Sequence, residues 1–136
     1  MRKPHLATLA ALPLALPTGA ALASGGAEES GGAVASLVTF RPIVVPIIDS
    51  DRVEGALRVE IIVEAADAEA AARMSAELPV LRASGVAAAS EFARLYASGF
   101  RTVNVEQLDH DLTAAMQAAD PGVKRILIVE VSAKSG

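Results

Sequence analysis

The chain has 136 residues, enough for one domain with short appendages. Twelve Lys and Arg stand against sixteen Asp and Glu, a net charge of −4, and there is no cysteine. This balance argues against nucleic acid and anionic membrane surfaces as partners, and the lack of thiols excludes disulfides, thiolate metal sites and lipoprotein attachment.

The first residues read as a targeting segment. Arg2, Lys3 and His5 form a basic start, residues 6–16 an apolar core, and Ala21-Leu22-Ala23 a signal-peptidase site. Residues 1–23 are therefore expected to be a signal peptide, which places the mature domain in the periplasm. The alternative is an uncleaved inner-membrane anchor over residues 6–23, which is short for a span and carries Pro13 and Pro17. Loss of Arg2 and Lys3 would leave 10 basic against 16 acidic residues. Residues 24–36, SGGAEESGGAVAS, cannot bury a core and read as a flexible linker.

A single domain is expected over residues 37–132. Residues 37–48, LVTFRPIVVPII, are rich in β-branched side chains but hold Pro42 and Pro46, which suits the edge of a sheet. Asp49-Ser50-Asp51-Arg52 predicts a tight turn into the strand at residues 53–64, VEGALRVEIIVE. There Val53, Gly55, Leu57, Val59, Ile61 and Val63 alternate with a mostly charged set, as a strand with one buried and one solvated face requires.

Asp67 is placed to cap a helix from Ala68, with Glu69 in its first turn. Met74, Leu78, Leu81, Gly85, Ala88, Phe92 and Leu95 form one apolar stripe, which Pro79 should either kink or divide into two helices at Leu78. Ser98-Gly99 is the expected stop. Asn104 and Gln107 have capping-box spacing and open a third helix, with Val105, Leu108, Leu112, Ala115, Met116 and Ala119 on its apolar face. Asp120-Pro121-Gly122 ends it, and residues 123–131, VKRILIVEV, predict a last strand buried on both faces. Residues 132–136 read as a tail, with the domain boundary at 132/133.

The order strand, strand, kinked helix, helix, strand predicts an α+β two-layer sandwich: a small, mainly antiparallel sheet with helices on one face. Chemistry is hard to find in it. His110 lies between Asp109 and Asp111, but neighbours on a helix point about 100° apart and do not converge on a metal. Glu54, Glu60 and Glu64 line up as solubilising charges on the outer face of a strand. No nucleophile elbow or phosphate loop is present. No catalytic residue, metal or cofactor is expected.

The layout over residues 40–131 resembles the periplasmic domain of the flagellar basal-body-associated FliL family. Val44-Val45-Pro46-Ile47 stands where the family has its short VNL strand, though without the asparagine. Residues 56–64, ALRVEIIVE, resemble its central strand, Leu78-Pro79-Val80-Leu81-Arg82 its proline-bearing helix, and residues 123–131 its closing strand, with Ile128 and Val129 at aromatic positions. The resemblance implies a stomatin-like fold and a non-enzymatic scaffold that supports the flagellar stator. It also implies a protein partner, or self-association, rather than a pocket. An assembly face is then expected on the alanine-rich helix, at Ala87, Ala89, Ala93 and Ala97, the alternative being that this face packs inside the monomer against the sheet. The alternatives are a small periplasmic hydrolase built around His110 and a chaperone-like or ligand-binding module.

Overall fold

The computed structural model describes residues 36–136; the expected leader and all but the last residue of the linker lie outside the described residues. Four strands and three helices follow in the order β1 (Leu37–Thr39), β2 (Ile43–Asp49), β3 (Arg52–Ala65), α1 (Ala68–Ala76), α2 (Leu78–Tyr96), α3 (Val105–Ala119) and β4 (Val123–Ser135). All strand pairs are antiparallel and all include β3. The fold is the expected α+β sandwich. Ile62 pairs with both Thr39 and Leu127, and Val59 with both Ile43 and Val131. Since a strand has only two edges, β1 and β2 lie end to end along one side of β3, and β4 takes the other.

The period-2 pattern decides which face meets the helices. Leu57, Val59, Ile61 and Val63 of β3 are buried, together with Ile43, Val45 and Ile47 of β2. Leu81 and Phe92 of α2 cover them, with Leu108, Leu112 and Met116 of α3. Each such side chain stabilises the fold by roughly 1.5–3 kcal/mol relative to exposure. The helices begin as their caps require. Asp67 accepts from the Ala70 amide at 2.7 Å, and Asn104 from that of Gln107 at 3.1 Å. The second half of the capping box does not form, because the Gln107 side chain donates instead to Asp111 at 2.8 Å. Glu77 separates α1 from α2, and Pro79 sits in the first turn of α2, where its missing N–H has no intrahelical role.

Two glycines have steric reasons. A methyl on Gly55 would lie 2.0 Å from the Lys134 carbonyl oxygen, so β3 and β4 close only without a side chain there. Gly85 lets α2 settle against Met116 and Ile43.

Six expectations are corrected. The one edge strand expected over residues 37–48 is two, β1 and β2, interrupted at residues 40–42. Val53, expected on the inner side of the central strand, is 70% exposed beside the hairpin turn. β4 is not buried on both faces: Val123 and Ile126 are buried, while Val129 is 60% exposed. It is an edge strand covered on one face only. The residues read as a tail belong to this strand, since Ser135, Lys134 and Ala133 pair with Gly55, Ala56 and Leu57. The length of β3, rather than their own hydrophobicity, orders them. Leu95 lies on the expected stripe but is 51% exposed, while Ala93 before it and Ala97 after it face the core. Val105, in the first turn of α3, and Ala119, at its end, are also exposed.

Candidate functional site

The described end of the sheet where β1 begins is closed by polar contacts. Buried Asp120 accepts from Arg73 at 3.0 Å and from the Gly122 amide at 2.8 Å, and these bonds hold its carboxyl below the usual carboxylate range. The Ala66 amide donates to the Gly122 carbonyl at 2.8 Å. On the open face of the sheet Glu64 pairs with Lys124 at 2.9 Å and with Arg125, and hydrogen bonds from both lower its pKa.

The opposite end is built differently. Ser50 and Asp51 turn the β2–β3 hairpin with φ of 50° and 65°, the left-handed conformation of a two-residue turn. Beside it α2 ends at Tyr96, and residues 97–104 cross to α3. The Ser98 side chain accepts from the Phe100 amide at 3.2 Å, and the Ser98 carbonyl from the Arg101 amide at 3.4 Å. That turn carries Phe100 outward, 85% exposed. Tyr96 is rooted against buried Phe92, ring centroids 5.4 Å apart, yet remains half exposed.

Among the described residues, Ile48, Val53, Leu95, Tyr96 and Phe100 bring exposed large hydrophobic groups to this one end. A shallow cleft of about 330 Å³ joins Ile48 to Leu95, Tyr96 and Arg101. A second, of about 260 Å³, runs from Ile48 and Pro46 to Glu91 and Arg94. Arg94 binds Glu91 with two contacts, at 2.6 and 3.1 Å, and these depress the Glu91 pKa. Arg52 and Arg101 are exposed and have no ion-pair partner among the described residues. The first cleft is lined chiefly by polar atoms and the second chiefly by apolar ones, and exposed aromatic residues with arginine are enriched at protein-binding surfaces.

The alanine face expected on α2 is corrected here. Ala89 and Ala93 are 0% and 1% exposed, and Ala97 is half-buried against the core. The Ala89 and Ala93 methyls let the helix lie close to the sheet and present nothing to a partner, while Ala97 lines the cleft beside Leu95 and Tyr96. Sequence reasoning finds the right helix but the wrong surface: the outward residues are Leu95 and Tyr96 of its last turn. Spacing alone assigns Leu95 to the core, but in the packed chain Phe92, Ala93 and Ala97 take the inner face and Leu95 is left on its flank.

His110 stands in solvent, 3.5 Å from Asp111, over a shallow depression shared with Asp109, Thr113 and Gln117. Among the described residues no group of three or more His, Asp and Glu could hold a metal. A more apolar cleft of about 390 Å³ lies where β1 gives way to β2, between Phe40, Arg41, Leu78 and Pro79. Its Arg82 donates to the Arg41 and Pro42 carbonyls at 2.7 and 3.0 Å, satisfying backbone that the break in the strand leaves open. No described helix is long and apolar enough to cross a membrane. No protein-family model matches the chain, and no curated protein matches it significantly.

Proposed function

We propose that this is a non-enzymatic, exported interaction domain that binds a protein partner through the hairpin end of its sheet. The observation that carries the reading is the exposed Leu95–Tyr96 turn beside Ile48, on a chain whose only aromatic residues are three Phe and one Tyr. Phe40 and Phe92 are in the core, so Tyr96 and Phe100, both exposed, stand at this one end. Exposed apolar groups of this size that cluster, rather than scatter, mark contact surfaces. The resemblance to the FliL periplasmic domain supplies the partner class: a component of the flagellar stator or basal body, met in the periplasm after cleavage behind Ala23. Such a domain works by holding and supporting another protein, so it needs a firm surface and no reacting groups.

The test is site-specific photo-crosslinking in motile cells, with the probe at Leu95 and a control probe at exposed His110. The expected result is an adduct with a stator or basal-body protein at position 95 and none at 110, together with reduced swimming for Leu95→Asp/Tyr96→Asp. Equal labelling at both positions, or normal swimming by a stably folded double variant, overturns the reading. Intact mass of the periplasmic fraction should show a chain that begins at Ser24; recovery of the full chain in the membrane pellet replaces the exported form with the anchored one.

A further inference from the structure

The two long edges of the sheet are not equivalent. On the β1/β2 side the chain is broken at residues 40–42 and carries Pro42 and Pro46, which cannot donate to an added strand. β4 runs thirteen residues without proline and has β3 as its single neighbour among the described residues. Its first part is guarded, since Gln117 donates to the Val123 and Lys124 carbonyls at 3.4 and 3.3 Å. Register shifts against β3 fall near Lys124 and Val129. From Glu130 to Lys134 the strand is regular, and Gly99 of the α2–α3 loop packs against Ser135 beyond it.

That open half carries an unresolved charge arrangement. Glu130 lies directly opposite Glu60 of β3, and like charges at that position repel. Arg58 is paired to Glu60, while Glu130 has no cation among the described residues. Lys134 is likewise unpaired and shares the open face with Glu130, since their partners Ala56 and Glu60 lie on one face of β3. Four residues along a strand separate them by about 13 Å, too far for mutual pairing.

We propose that two copies of this chain join antiparallel along β4, about a twofold axis at Ser132, so that their sheets become one. This register sets Glu130 opposite Lys134 of the second copy, and Lys134 opposite its Glu130. Val131 meets Ala133 on the helix-covered face. Sliding one copy by two residues puts Glu130 against Ser132 or Gly136 and loses both charge pairs. The assembly is closed by its own symmetry, as an isologous interface requires. It stands apart from the partner reading, because neither Glu130 nor Lys134 belongs to the surface around Leu95.

Sedimentation velocity on the purified full chain tests it, with Glu130→Lys, Lys134→Glu, the double exchange, and an equimolar mixture of the two single variants. The wild type should be a dimer, and each reversal should raise the dissociation constant at least about tenfold by replacing two attractive pairs with two repulsive ones. The double exchange restores the pairs and should restore the dimer. The mixture should do the same, since the two lysines of one variant then face the two glutamates of the other. A wild type that stays monomeric up to about 200 µM, well above the concentration at which a specific dimer assembles, overturns the proposal. So do single reversals that dimerise like the wild type, or a mixture that stays monomeric when both variants keep the wild-type circular dichroism spectrum.

Discussion

The two ends of the β3 ladder are made from the same kinds of residue and treat them in opposite ways. Where β1 begins, the charged groups are matched: Asp120 with Arg73, Glu64 with Lys124 and Arg125. At the hairpin end Arg52 and Arg101 stand unpaired among the described residues, and Leu95, Tyr96 and Phe100 face solvent over a turn with two left-handed residues. A domain stabilised uniformly would have no reason for this asymmetry. Closed polar contacts belong to an end that only has to hold the fold, while exposed apolar and cationic groups are what a second protein can desolvate.

The largest expected effect comes from breaking the hairpin end from beneath. Ala93→Glu places a charge where the methyl is 1% exposed, and an unpaired buried charge should cost several kcal/mol, visible as a large fall in the melting temperature. A cooperative melt at the wild-type temperature would return Ala93 to the surface.

Asp120→Ala breaks the closed end. It removes the acceptor of the Gly122 amide and strands Arg73, and should cost about 1–3 kcal/mol in urea unfolding. The same pair predicts a pH dependence. The Asp120 and Glu64 pKa values are lowered in the folded chain, so their stabilisation is complete above the ordinary carboxylate pKa near 4 and is lost as pH falls through the lower folded values. Melting temperatures from about pH 5 down to 2 should fall, and fall less steeply for Asp120→Ala.

Smaller effects sharpen the contrast. Ser50→Asn with Asp51→Gly supplies residues suited to the positive φ of the turn and should add about 0.4–1 kcal/mol. Leu95→Glu, two residues beyond Ala93, should change stability by less than about 0.5 kcal/mol while abolishing crosslinking from a probe placed at Tyr96. His110→Ala should alter neither stability nor swimming; a folded variant without biological activity would revive the hydrolase or metal alternative.

Much of this fold was legible in the residues. The alternation from Gly55 to Val63, the Asp67 and Asn104 caps and the break at Pro79 are local or periodic signals, because backbone hydrogen bonding and a single buried face impose fixed spacings on any chain. The candidate surface was not legible in the same way. Leu95 and Ala93 carry helix-face signals of the same kind, and no spacing rule says which flank of a helix its neighbours cover.

What the sequence determined by itself is therefore the order of the main elements and the inward face of β3 from Gly55 to Val63 and of α3 through Leu108, Leu112 and Met116. The tertiary structure alone decided that residues 37–48 break into two strands, that β4 is an edge, that its last residues are held by the long β3, that Ala89 and Ala93 lie inside, and that Leu95 and Tyr96 share a cleft with Ile48. The physical reason is reach. Periodicity reports which side of an element is apolar, whereas burial depends on how far its neighbours extend, and those neighbours are brought together only by the packed chain.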